Sequence, residues 1–302
     1  MESDSCFSLL HASLANSSRN PLSASVLLIE AAAHCLSNPV RLRLILFWTL
    51  LVLLSIAWCY ASPLLNLHTS SKRKFFHFAI SAVYVSGIVF DFEFLCVAAV
   101  CALIAFVISE ICRLCGPTLL RRILNDAFTS LLDSKDQGTF IFSHFYLLLG
   151  MSLPIWLDYL TASSRTGHTV VSYAGVVTVG VGDSFAAIIG RACGRHRWPR
   201  RNRTLEGSAA MLFSQLVTFE VLRWCDPVAF YLSGDGLAIE LWSLRAGWFV
   251  HCLLTTLAEV YVEGSDNVMV PLFSVLILWV SKWIRELGGF TSTLIFAQKS
   301  DL

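Results

Sequence analysis

Three short stretches of this chain hold residues able to do chemistry together. Gly182-Asp183-Ser184 sets an acid inside an apolar run, Arg195-His196-Arg197-Trp198-Pro199 follows, and Arg203-Thr204-Leu205-Glu206-Gly207-Ser208 leads into the next apolar run. Asp183 precedes Gly190 by seven residues, which places it ~10 Å below the helix end at ~1.5 Å rise per residue. An unpaired Asp at mid-bilayer costs ~2.5–3.5 kcal/mol, so such an acid faces a cavity or a partner. Thr204 is placed to cap the following helix, with the amides near Gly207 and Ser208 left for a phosphate oxygen. The arginines upstream add neutralising charge. Glu206 would repel a phosphate unless a cation bridges the two. Magnesium does this with one or two carboxylates plus phosphate oxygens, and Asp183, Glu206, Asp266 and Asn267 are the candidate shell. No G-x-x-x-x-G-K-[ST] stretch is present, which excludes a P-loop nucleotide site.

Simpler roles compete for each of these groups. Gly182, Ala186 and Gly190 recur every four residues and suit close helix packing, with Asp183 then a structural acid paired to an arginine. The arginine run serves equally as an anchor on anionic lipid. Lys74 and His77 lie three apart at the start of another apolar run and are candidates for substrate or phosphate contact. A snorkelling lysine and a satisfied core histidine are the plainer readings of the two; His144 and His251 are read the same way. Glu110 and Asp133-Ser134-Lys135-Asp136 are weaker candidates. Cys112 and Cys115 form a lone C-x-x-C without a second pair at metal-binding spacing.

The elements that position these groups are membrane helices. The chain has 302 residues, 56% hydrophobic and 14% charged, where a soluble domain carries about 25% charged residues. A span needs about 20 mostly apolar residues. The candidates are 43–65, 75–90, 92–111, 140–157, 170–190, 208–222, 241–262 and 268–284. The pair 75–90 and 92–111 also reads as a tight hairpin about Asp91 and Glu93. Continuous apolar runs without strict alternation favour helices over a barrel. The expectation is an all-α polytopic bundle of about eight spans at 40–290, after a polar, amphipathic segment at 1–39 that lacks the order of a cleaved signal peptide, and before a tail at 291–302. Loop 191–206 holds six arginines and one acid, which sets it on the cytosolic side. Counting spans brings the loops near Lys74 and near Asp266 to that same side. Arg41, Arg43, Lys282 and Arg285 run against the count. Nothing implies a nucleic-acid partner.

Several of these stretches, taken in order, resemble the dolichol kinase family: Arg73-Lys74-Phe75-Phe76-His77, 150–157 (Gly-Met-Ser-Leu-Pro-Ile-Trp-Leu), 180–184 (Gly-Val-Gly-Asp-Ser), Arg197-Trp198-Pro199, 204–208 and Asp266-Asn267 followed by Pro271-Leu272. The resemblance runs from about Lys72 to about Trp283. It implies a CTP-dependent kinase of the endoplasmic reticulum membrane, with its active site facing the cytosol, acting on the terminal hydroxyl of dolichol to supply a lipid carrier for glycosylation. Mg2+ is the implied cofactor. The family's nucleotide-binding stretch falls on Asn202 to Val217, giving Asn202, Arg203, Thr204, Glu206, Gly207, Ser208, Ser214 and Gln215 as nucleotide-binding candidates. Asp183 and Glu206 are the catalytic candidates, Asp183 as metal ligand or as base for the lipid hydroxyl. Ser184 stands where the family often has Thr, and Arg203 where it often has Lys. Family members are commonly longer at the N-terminus, so the resemblance implies a short form or fragment. A kinase of a shorter prenol such as phytol or farnesol shares the Arg-Lys-x-x-His and Gly-Asp elements. A transporter would use Asp183, Glu110 and His251 as a polar path, but repeated halves with broken helices are absent from the sequence; a non-catalytic scaffold is a further alternative.

Overall fold

The computed structural model describes residues 37–61, 69–129, 141–161, 167–231, 241–262 and 264–300. The acids of 133–136 and most of the segment 1–39 lie outside the described residues. The chain divides into two compact units, residues 1–152 and 153–302.

The first unit holds α1 (Pro39–Ala61), α2 (Thr69–Phe90), α3 (Phe92–Cys115), α4 (Thr118–Thr129) and the start of α5 (Phe142–Thr161). Pro39 opens α1 at a position where its missing N–H costs nothing, and Asn38 Oδ1 accepts from the Val40 amide at 2.9 Å. A single residue, Asp91, separates α2 from α3. Its Oδ1 caps α3 by accepting from the Phe94 amide at 2.9 Å, and its Oδ2 accepts from Arg41 Nε at 2.7 Å. The hairpin expected about Asp91 is therefore present, and Arg41, which ran against the topology count, is spent on that carboxylate. A Cβ on Gly87 would meet Leu95 at 2.8 Å, so only glycine lets α2 and α3 approach this closely.

The second unit is built around α7 (Leu205–Cys225), which packs against α6 (Asp183–Cys193), the turn preceding it, α8 (Pro227–Tyr231) and α9 (Leu241–Tyr261). The last helix, α10 (Asp266–Ser300), packs on α9 and continues through residues 291–300, where a tail was expected. The stretch from Val170 to Cys193 is not one regular helix. It opens as a 3-10 turn at Val170–Tyr173, widens to a π-helix at Val176–Gly182, and only then becomes α6. Two buried carboxylates pin its beginning. Asp158 accepts from the Thr169 amide, Thr169 Oγ1 and Ser172 Oγ at 2.5–2.8 Å. Asp226, at the end of α7, accepts from Tyr173 Oη at 2.7 Å and lies 2.8 Å from His168 Nε2. Phe219 of α7 stacks on Trp248 of α9 with centroids 5.7 Å apart, inside a core that includes Val177, Met211 and Val260.

The all-α expectation holds: helices dominate, and the only β pairing among the described residues is one isolated bridge, Arg197 with Thr204. Among the described residues, four helical stretches are long and apolar enough to cross a membrane: Pro39–Cys59, Phe92–Cys115, Val170–Cys193 and Asp266–Ile284. The helices α2, α5, α7 and α9 are 20 to 22 residues long.

Candidate active site

The loop 194–204 and the start of α7 are folded as one piece. Thr204 caps α7 as its position predicts, with Oγ1 accepting from the Gly207 amide at 3.1 Å. Across the bridge, the Trp198 amide donates to Arg203 O and the Leu205 amide to His196 O, at 3.0 and 2.8 Å. Trp198 Nε1 donates to Ser208 Oγ at 3.0 Å. Arg200 takes a left-handed backbone, φ 59°, to close this turn. The small-residue stripe does bring helices together: a Cβ on Gly207 would meet Ala186 O at 2.9 Å and Gly190 Cα at 3.2 Å.

One expectation is corrected by this geometry. The amides near Gly207 and Ser208 are not left for a phosphate. Gly207 donates to Thr204 Oγ1, Ser208 to Thr204 O at 3.0 Å, and Leu205 to His196 O. The cap and the bridge satisfy the groups that a bare helix terminus would offer.

Glu206 is engaged by the loop and does not line the cleft that Asp183 and Asp266 share. Its carboxylate accepts from the His196 amide at 3.1 Å and lies 2.8 Å from His196 Nδ1. Its own amide and the His196 side chain hold its pKa down at about 2.

Asp183, Asp266 and Asn267 do come together, joined by a residue that sequence reasoning passed over. A narrow, closed-up cleft with no room for a water molecule is lined by Thr178, Val179, Asp183, Met211, Glu259, Asp266, Asn267 and Val270. Arg203 reaches in from the loop. Its Nη2 lies 2.7 Å from Asp266 Oδ2 and 2.9 Å from Glu259 Oε1, and Asp183 is close enough to act on its charge. Burial works against the guanidinium charge, yet Glu259, Asp183 and Asp266 together raise its pKa above the ordinary arginine value. Three carboxylates surround one arginine, leaving two negative charges in excess. Glu259 sits near the end of α9 with a side chain only 4% exposed. Its signal in the sequence was available: a lone acid inside an apolar run, seven residues before Asp266.

The donor set suits a hard cation, being carboxylate and amide oxygens. Among the described residues, no three His, Cys, Asp or Glu side chains are grouped closely enough to enclose a metal ion alone. The cleft therefore offers a partial shell, the kind that magnesium completes with substrate phosphates.

The remaining candidates are spread. Asn202 is exposed on the loop. Ser214 and Gln215 are buried within the second unit: Ser214 Oγ donates to Met211 O at 3.0 Å, and Gln215 Oε1 accepts from Thr255 Oγ1 at 2.8 Å. Gln215 Nε2 finds no partner among the described residues. Lys74 and His77 are buried on α2 in the first unit, where His77 Nδ1 lies 3.2 Å from Arg73 O. Glu110 is committed to Arg113 and to the Ile141 amide, and His251 Nε2 lies 3.0 Å from Ser274 Oγ.

The dolichol kinase family model matches residues 19–146. The dolichol kinase of Mus musculus is 34% identical over 254 residues, 79% of this chain and 45% of that protein. That of Homo sapiens is 34% identical over 251 residues, again 79% and 45%. Dolichol kinase EVAN of Arabidopsis thaliana is 31% identical over 247 residues, 78% of this chain and 40% of that protein. The chain thus spans somewhat under half the length of these curated relatives. No solved structure matches. With relatives in mammals and a plant aligned over more than three-quarters of its length, the chain belongs to the dolichol kinase family.

Proposed function

We propose that this chain transfers the γ-phosphoryl group of CTP to the terminal hydroxyl of dolichol, at the cytosolic surface of the endoplasmic reticulum membrane, and that the cleft of the second unit is where the groups meet. The observation that carries this reading is the convergence of Arg203, Asp183, Glu259, Asp266 and Asn267 from four separate elements. A polyisoprenoid must keep its tail in lipid while its hydroxyl reaches a polar nucleotide. A cleft formed where helices end meets both demands.

Phosphoryl transfer asks mainly for positioning and charge neutralisation. Arg203 is the cation of the cleft and, on nucleotide binding, turns part of its donor fork from the acids to phosphate oxygens. Asp183 or Glu259 accepts the hydroxyl proton. Asp266, Asn267 and one of those acids would hold Mg2+, which would supply neutralising charge for the phosphates. Glu206 serves as a positioning group that fixes the loop through His196. Asn202, Thr204, Gly207, Ser208, Ser214 and Gln215 shape or support the nucleotide side, and Lys74 and His77 of α2 are proposed to contact substrate or phosphate. The arginine-rich loop 191–206 supports the cytosolic orientation.

The test is label transfer by purified full chain from γ-labelled CTP to dolichol, with ATP and phytol as comparisons. Transfer to dolichol with CTP preferred is expected. Preference for phytol would move the substrate to a shorter prenol, preference for ATP would remove the CTP assignment, and no transfer to either alcohol would overturn the kinase reading.

A further inference from the structure

The helix α4 (Thr118–Thr129) is 12 residues long, ~18 Å at ~1.5 Å per residue, and cannot cross a hydrocarbon core of ~30 Å. It is joined to α3 by Gly116 and Pro117 alone. At ~100° per residue, Leu119, Leu120, Ile123 and Leu124 fall on one side, while Thr118, Arg121, Arg122 and Asn125 fall on the other. Two of its polar side chains, Asn125 and Arg121, tie it back to the end of α3. Asn125 Oδ1 accepts from Arg113 Nη1 at 3.2 Å, and Arg121 Nη2 donates to Gly116 O at 3.4 Å. The apolar side is left open, with Leu119 71% and Ile123 53% exposed.

What covers that side follows from where α4 is attached. Along α3, Val100, Ile104, Val107, Ile108 and Ile111 form an exposed apolar stripe at helical spacing, the surface that a membrane helix gives to lipid. The stripe reaches Ile111, one turn before the Gly116–Pro117 corner. Helix α4 therefore begins where lipid contact ends, at the level of the headgroups. At that level its exposed apolar residues would reach acyl chains, and the exposed Arg121 and Arg122 would reach anionic headgroups.

We propose that α4 lies in the plane of the membrane interface, with Leu119, Leu120 and Ile123 in the acyl boundary and Arg121 and Arg122 on anionic headgroups, as an amphipathic surface helix does. It is a lipid-binding surface separate from the cleft, and it stands whether or not the kinase reading does.

Photocrosslinking of the full chain in nanodiscs tests it. Leu119→p-benzoylphenylalanine and Ile123→p-benzoylphenylalanine are compared with Arg122→p-benzoylphenylalanine, each checked for an unchanged gel-filtration profile. Lipid adducts severalfold more abundant at 119 and 123 than at 122 are expected. In discs of phosphatidylcholine containing phosphatidylserine, the phosphatidylserine share of adducts at 119 should fall severalfold in the Arg121→Gln/Arg122→Gln background. Crosslinks at 119 and 123 to protein, within the chain or to a second copy, would overturn the interfacial placement, as would no adduct at all. Lipid adducts with an unchanged phosphatidylserine share would overturn the role of the two arginines.

Discussion

Arg203→Ala removes a guanidinium lying between Glu259 and Asp266. At 2.7–2.9 Å and an effective dielectric constant of ~20, each contact has a gross Coulomb energy of about 6 kcal/mol. Desolvation offsets most of that, and breaking a buried pair costs ~3–5 kcal/mol because a charge is left behind. The Arg203 side chain is 32% exposed, so solvent screening brings the expected loss to ~2–3 kcal/mol. In a chain of this size that is a fall of ~3–5 °C in the melting temperature of the nucleotide-free protein in nonionic detergent. Two companions make the result specific. Arg203→Ala/Glu259→Gln should recover part of the loss, because the second change removes the charge that the first stranded. Added Mg2+ should stabilise Arg203→Ala more than it stabilises the unaltered chain, since a cation replaces the guanidinium and bound ligand adds stability by mass action. Arg191→Ala, exposed on α6, should leave the melt unchanged. The reasoning fails if Arg203→Ala melts within a degree of the parent. It fails equally if Arg203→Ala and Arg191→Ala raise the nucleotide KM alike, for then the loop is a lipid anchor.

Asp183→Asn keeps shape and loses charge, so the chain should insert and fold while turnover per folded molecule drops on the order of 10²-fold or more; near-normal turnover would make Asp183 structural. Gly182→Ala puts a Cβ 2.9 Å from Gln215 Nε2 and 3.0 Å from Val177 O, and overpacking of that kind should cost ~1–3 kcal/mol in unfolding experiments. Burial raises the Asp226 pKa, but hydrogen bonds from His168 and Tyr173 outweigh it and hold the carboxyl below its ordinary value. A depressed folded pKa gives stability that is present above the unfolded value and lost as pH falls through the folded one. The melting difference between the parent and Asp226→Asn should therefore shrink below pH ~4, and a gap unchanged at that pH would disprove the linkage. Cysteine-accessibility labelling should report loop 194–203 and Ser265 on the same side of the membrane; opposite sides would dismantle the proposed orientation.

The helices were legible because membrane spans announce themselves as unbroken apolar runs, and the hairpin at Asp91 because one polar residue interrupts two of them. Thr204 was legible as a cap because capping depends on local sequence alone. Two features of the site were not. Glu206 was grouped with the acids on charge, but its direction is set by a bridge that closes through Arg197 and Thr204, and it answers His196 instead. Glu259 was passed over inside the apolar run 241–262. Its burial against Arg203 comes from the packing of α9 on α7 and α10, which no local pattern encodes.

Asp183 shows why direction is harder to read than depth. Counting back from the helix end assumes a uniform ~3.6 residues per turn. That count holds from Gly190 back to Asp183, inside regular α6. The π-helix at Val176–Gly182 breaks it on the other side of the acid, where a slip of one residue would rotate a side chain by ~100°. Apolar periodicity cannot settle which face results, since Val and Gly occupy most of the turn. Long-range contacts settle it. Asp158 and Asp226 pin the start of the segment through Thr169, Ser172 and Tyr173, while Gly190 against Gly207 fixes its end. Between two fixed ends the widened turn takes up the mismatch, and Asp183 is delivered to the cleft with Arg203. Insertions of this kind recur at functional sites because an extra residue per turn re-aims one side chain without moving the helices that carry it.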